Sequence, residues 1–339
     1  MVQEIQNNEQ KVNMDSLAPV VVFAYNRPGH LELTLEALSH NTLASESVLY
    51  VFCDGPKVNA TEDQKELIAQ TRLVARKKQW CKEVYVTEAV ENMGLRKSII
   101  SGVSKVMGKH ECAIVVEDDL ETSPFFLNYM NLCLKKYKDY RGVFSISAQS
   151  CINPGRFPND YPFDVYALQT HFPWGWATWK DRWDLVDWDI DKKMKNILNS
   201  QPCMRDAFMR GGQDLYYRSL KERLNGLDVW SICFSLAHFQ HHAVSIIPIV
   251  SYVHNTGLDG SGANSGNQIN SSLSHKYYVN AKETPRLLDV VYEDRRIVNM
   301  FYSSAVMQRR PFIKRVINRI GCKLTGKVEF IPKGEVYKV

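Results

Sequence analysis

No apolar run in this chain approaches the roughly 20 residues that a membrane-spanning helix needs. The first sixteen residues, MVQEIQNNEQKVNMDS, hold no apolar stretch of the kind that directs secretion, so the expected location is the cytoplasm. Eight cysteines are scattered without one C-x-x-C pair. That argues against a zinc knuckle or disulfide framework and for free, mostly buried thiols in a reducing compartment. There is no H-E-x-x-H pattern: His238, His241 and His242 share helical spacing without an accompanying glutamate, and a solvated helix face is expected for them. Internal repeats are absent. Charge of one sign is also scarce, with a net +5 over 339 residues. Arg309, Arg310, Lys314, Arg315, Arg319 and Lys323 concentrate it locally, which argues against a nucleic-acid groove running across the fold.

What is present is a core and a rhythm. With 45% hydrophobic and 23% charged residues the chain can bury a substantial interior. PVVVFAY (19–25) is an apolar, β-branched run without alternation, the pattern of a strand covered on both faces. Helical spacing of Leu31, Leu35 and Leu38 follows the break at Asn26 to Gly29. SVLYVFCD, a charged helix opened by a Thr61/Gln64 capping box, KEVYVTEA, NMGLRKSIISGVSKVM and CAIVVEDD continue the alternation. Strand after helix after strand predicts an α/β fold with a mostly parallel, doubly wound sheet. The expected division is a polar segment over 1–17, a nucleotide-binding half over 18–120, an acceptor-binding half over 121–270 and a basic helical tail over 271–339.

In such sheets ligands gather at the carboxyl ends of the strands, where this pattern puts Asn26, Arg27, Asp54 and the acids Glu117, Asp118 and Asp119. A short apolar strand that delivers adjacent carboxylates suits Mn²⁺ or Mg²⁺, hard cations that take one or two protein carboxylates and leave other positions to substrate phosphates. The bland alternative for the acids is a solvated loop. The second half is aromatic: HFPWGWATWKDRWDLVDWD holds five of the seven tryptophans. Trp179 and Trp183 are expected in the core, whereas Trp174 and Trp176 flank Gly175 in a loop-like context and suit the C–H faces of an acceptor sugar.

VVEDDLETSPFFLNYM resembles the metal-binding segment of the N-acetylglucosaminyltransferase I family, and the stretch from VVVFAYNRP to about Gly262 is similar to GT-A glycosyltransferases of that type and their bacterial relatives. The resemblance implies a GT-A fold and inverting transfer of a sugar from a nucleotide-sugar donor, a UDP-sugar by the likeness, to a glycan or lipid-linked glycan in cell-surface polysaccharide or lipopolysaccharide synthesis. It implies that Asp119 binds the metal, that Glu117 and Asp118 contact the sugar and ribose, and that Arg27 and Asp54 grip the nucleotide; Lys97, after NMGL, falls near the pyrophosphate.

Asp228, before Val229 and Trp230, is similar to the family's Asp-x-Trp element and is the candidate base; a helix N-cap is its structural alternative, and Asp181, Asp184, Asp187 and Asp189 compete with it. His254 ends a strand where many GT-A enzymes supply a late histidine to the metal. The loop NTGLDGSGANSGNQINSS after it fits a cover over the donor better than a dinucleotide fingerprint. Between Pro311 and Leu324 apolar residues recur at helical spacing among the six basic ones, so this helix either lies on the anionic inner face of a membrane as a peripheral contact or packs on its own domain. Two other classes share these features, a sugar nucleotidyltransferase and a non-catalytic glycan-binding protein.

Overall fold

The computed structural model describes residues 17–189, 230–259 and 280–303. Asp228, the Gly- and Ser-rich loop from 260 onward and the basic C-terminal segment lie outside the described residues. The chain opens with Val20–Ala24 (β1), Pro28–Ser39 (α1), Val48–Cys53 (β2), Glu62–Ala75 (α2), Glu83–Glu88 (β3), Leu95–Met107 (α3) and Cys112–Glu117 (β4), where the alternation puts them. The capping box of α2 forms as expected, with Gln64 N–H donating to Thr61 Oγ1 at 3.3 Å and Thr61 N–H donating to Gln64 Oε1 at 3.1 Å.

Leu120–Thr122 (β5), Phe126–Tyr137 (α4), Val143–Ser147 (β6), Val165–Leu168 (β7), Trp176–Trp179 (β8) and Lys180–Trp183 (α5) follow, then Trp230–Gln240 (α6), Val244–Pro248 (β9), Val253–Asn255 (β10) and Arg295–Ser303 (α7). Eight strands form one sheet in the order β3-β2-β1-β4-β8-β6-β9-β7, and β10 pairs with β5 in a small second sheet. β3, β2, β1 and β4 are mutually parallel. β8 runs antiparallel to both β4 and β6.

Residue parity along β1 assigns its two faces. Val20, Val22 and Ala24 pack with Leu31, Leu35 and Leu38 of α1 and with α4, whereas Val21 and Phe23 pack with Ile99, Val103 and Val106 of α3 and with Phe234 of α6. The sheet is thus covered on both sides, which is why its inner strands are apolar without alternation. A smaller cluster at the far edge joins Tyr166, Leu168 and Ile247 to Ile297 and Phe301 of α7.

Three sequence expectations fail here for identifiable reasons. Trp176 belongs to a strand rather than a loop. Gly175 has φ +65°, which only glycine adopts without strain, and it turns the chain so that Trp-Ala-Thr-Trp, rich in strand-favouring side chains, inserts between β4 and β6. AVSIIPIVSYV is not one strand, because Pro248 cannot donate to a continuing ladder and ends β9 before β10 begins. His238 is not solvated. It is fully buried, Nδ1 lies 2.8 Å from the Phe234 carbonyl and Nε2 lies 2.9 Å from Ser145 Oγ, while His241 and His242 are exposed. Cys53, Cys81, Cys112 and Cys133 are free thiols.

Candidate functional site

The carboxyl ends of β1 and β4 lie side by side, with Phe23 in register with Glu117. The chain leaves β1 through Tyr25 and Asn26 to Arg27, and Pro28 then starts α1, its fixed φ suiting the first turn. It leaves β4 at Glu117 into a tight turn, so Asp118 and Asp119 fall directly opposite Arg27. The Arg27 guanidinium holds both aspartates: Nη2 pairs with Asp118 Oδ1 and, at 3.0 Å, with Asp119 Oδ2, while Nε lies 3.4 Å from Asp118 Oδ2. The aspartates are only 4% and 6% exposed. Two carboxylates so close and so buried require a cation between them.

The acid turn is fixed from two directions. From α1, Thr34 Oγ1 donates to the Asp118 carbonyl at 2.8 Å. From the segment after β10, Thr256 donates to the Asp119 carbonyl with its backbone N–H at 2.8 Å and its hydroxyl at 3.0 Å. Gly257 comes next, and a Cβ there would sit 2.9 Å from Asp119 Cγ and 3.0 Å from its Cβ, so only glycine lets this segment pass in front of the carboxylate. Asn255 Oδ1 accepts the Gly257 N–H at 2.8 Å. Further along, Asp259 pairs with His30 of α1 at 3.2 Å. The pairing of β10 with β5, with Asn255 opposite Leu120, carries this segment to the acids.

Burial, reinforced by the Asp119 and Asp118 charges, pushes Glu117 up to about 8, and burial pushes Asp118 up to about 6 against the pull of Arg27. Burial works to weaken the Arg27 charge, but Asp118 and Asp119 overcome it and hold the guanidinium protonated well above its ordinary range. Adjacent acids with perturbed affinities for protons, facing one cation at a sheet edge, are the electrostatic mark of a site rather than of a solvated loop.

Other candidates fall differently. Asp54 is 7% exposed and turns both oxygens on the protein's own backbone: Oδ1 accepts N–H groups of Gly55 and Met93, each at 2.8 Å, and Oδ2 accepts Gly94 N–H at 3.2 Å and Asn92 Nδ2 at 3.0 Å. It orders the turn at Gly94, φ 77°, that starts α3. Lys97 is exposed on the first turn of that helix. Trp176 is fully buried, stacked on Trp183 at 5.7 Å and on Trp230 at 4.8 Å, so its faces are already covered and it has none to offer an acceptor sugar. Trp174 is half-buried beside the larger core cluster. Asp181 pairs with Arg141 and Arg182 and Asp184 with Lys180, away from the acid edge.

His254 lies in β10 opposite Glu121. Among the described residues no group of three or more His, Cys, Asp or Glu is arranged to hold a metal ion, so His254 does not close a ligand set with Asp118 and Asp119. The sequence reading missed Thr34, Thr256 and Gly257. Thr34 had a signal, since it shares the inward face of α1 with Leu31, Leu35 and Leu38; Thr256 and Gly257 look like the start of a polar loop, and only the β5–β10 pairing assigns them to the site.

No family model matches the chain, and no curated protein matches it. Among solved structures, mouse xyloside xylosyltransferase 1 in its apo form is similar over 67% of this chain and 83% of that one, with 10% identity and a TM-score of 0.34.

Proposed function

We propose that the chain is a metal-dependent, inverting glycosyltransferase of the GT-A type, moving a sugar from a nucleoside diphosphate donor, a UDP-sugar in the first instance, to a hydroxyl of a glycan or lipid-linked glycan. The observation that carries this reading is the convergence of Arg27, Asp118 and Asp119 at the carboxyl ends of two adjacent parallel strands.

Mn²⁺ or Mg²⁺ fits the donor set. Asp118 and Asp119 present hard oxygens that already converge on one cationic group, and Gly257 keeps side-chain bulk away from Asp119. Two carboxylates are too few for an all-protein cage and leave positions for substrate phosphates. When bound, the ion supplies positive charge against the departing diphosphate. Arg27, a planar donor matched to phosphate oxygens, orients the same diphosphate. Asp54 acts indirectly by shaping the start of α3. Asp228 takes the proton of the acceptor hydroxyl onto a carboxylate oxygen, two residues before the buried Trp230 begins α6. Trp174, only half-buried, is the remaining aromatic for sugar packing.

No helix among the described residues is long and apolar enough to cross a membrane. The basic segment 309–323 supports peripheral contact with an anionic surface, which suits a lipid-linked acceptor. A thermal-shift panel of nucleotide sugars with and without Mn²⁺ tests the function. A metal-dependent rise in melting temperature with one donor, followed by release of its nucleoside diphosphate on adding an acceptor, is expected. Metal-independent sugar binding, retained in Asp119→Ala, would instead identify a glycan-binding protein.

A further inference from the structure

We infer that Arg27 is an exchangeable counter-cation: it occupies the cation position between Asp118 and Asp119, competes with a divalent ion for it, and transfers to the donor diphosphate when the ion binds. This rests on the metal reading of the same site. It adds that metal and nucleotide bind as a coupled pair.

The geometry supplies the steps. Nη2 of Arg27 already bridges one oxygen of each aspartate, so the guanidinium holds the place where both carboxylates converge. Those carboxylates are nearly inaccessible to water and keep a positive partner at all times, because a buried pair of unpaired negative charges is strongly unfavourable. Guanidinium and divalent ion would need the same two carboxylate oxygens, so they compete for one position. The backbone stays: Leu31 N–H donates to the Arg27 carbonyl at 3.0 Å and Pro28 fixes the start of α1, so Arg27 departs by side-chain torsions alone.

Its destination is indicated by Nη1, which is buried and has no acceptor. A guanidinium nitrogen so placed is a donor held for an incoming oxygen, and a phosphate oxygen of the donor is the acceptor that the charge there favours. Displacement from the aspartates and capture by the diphosphate then reinforce each other.

The test is a titration of manganese chloride read by electron paramagnetic resonance of the free ion, with and without UDP, on the wild type, Arg27→Gln and Arg27→Lys. For the wild type, UDP is expected to tighten Mn²⁺ binding roughly tenfold or more, a usual size for coupled sites. Arg27→Gln, with no cation to displace, is expected to bind Mn²⁺ alone about tenfold more tightly than the wild type and to lose most of the gain from UDP. Arg27→Lys retains the charge without the planar fork and falls between them; it carries the comparison should the glutamine variant fail to fold. Binding of Mn²⁺ to the wild type with equal or weaker binding to both folded variants overturns the exchange and leaves the metal site standing. Absence of Mn²⁺ binding in every protein, with UDP and without, overturns the metal reading itself and the exchange with it.

Discussion

Strands β3, β2, β1 and β4 run parallel and deliver Arg27, Asp54, Asp118 and Asp119 to one edge, whereas β8, β6, β9 and β7 mix directions and are surrounded by aromatic rings and buried histidines. Polar side chains occur in both regions but are used differently. In the acid region the buried charges face one another across the sheet edge, with backbone clamps from α1 and Thr256 and with Nη1 of Arg27 still without an acceptor. In the aromatic region the buried polar groups face inward: Ser145 Oγ lies 2.9 Å from His238 Nε2 and 2.6 Å from Ser245 Oγ, which donates to the Thr170 carbonyl at 2.5 Å. Burial holds His238 down to about 4 and His171 well below its ordinary value, so both are neutral. The difference separates a candidate site, built of charged groups that face one another, from a network of neutral polar groups inside the core.

Substitutions can break that comparison, beginning with the strongest. Asp119→Ala is expected to lower turnover by about 10³-fold or more with little change in melting temperature, the size expected on removing a group that acts on charge developing in the transition state. An equal loss of stability would mean that Asp119 is merely structural. Trp176→Ala should do the converse, costing roughly 3–5 kcal/mol in denaturant unfolding because a fully buried indole leaves a cavity. Selective loss of acceptor affinity at unchanged stability would restore the sugar-packing role that its burial rules out.

Acid sharpens the contrast. A histidine whose folded-state affinity for protons is depressed stabilises the fold above its unfolded pKa of 6.5, and that contribution is lost as pH falls toward about 4. For His238 the full shift corresponds to about 3 kcal/mol. Glu117 and Asp118, whose carboxyls are pushed up, change stability in the opposite sense over the same range, so the expected result is a difference: from pH 7 down to pH 4 the wild type loses about 3 kcal/mol relative to His238→Gln, in which the histidine contribution is absent. An unchanged slope in the variant would place the acid sensitivity elsewhere.

Gly257→Ala is a smaller perturbation aimed at the site. Overpacking against Asp119 should cost about 1–3 kcal/mol and abolish the Mn²⁺-dependent thermal shift. Retention of that shift would show that Asp119 has room to move. Thr256→Val, which removes one of two hydrogen bonds to the Asp119 carbonyl, should cost about 1 kcal/mol and leave metal binding weakened but present.

Most of the acid region is legible in the sequence, because its information is local. β1, β2 and β4 are continuous apolar runs, α1 opens at Pro28 and α2 at its capping box, and the acids follow β4 directly. The aromatic region is less legible because its information is long-range. Trp176 is placed by Gly175 turning into a gap between β4 and β6, and His238 by Ser145, 93 residues away. Thr256 and Gly257 reach the acids through a strand pairing between residues more than 100 positions apart. Asp54 illustrates a different limit: an acid after a strand and before Gly-Pro marks a sheet edge, but the sequence does not reveal that its oxygens turn back on the Asn92–Gly94 backbone.

A crystal structure grown with Mn²⁺ and UDP tests the central claim most directly. An anomalous manganese peak within coordination distance of Asp119 and of the diphosphate, with the Arg27 guanidinium moved from the aspartates to a phosphate oxygen, is the predicted result. Nucleotide bound away from β1 and β4, or Arg27 still bridging Asp118 and Asp119 with manganese elsewhere, would contradict it.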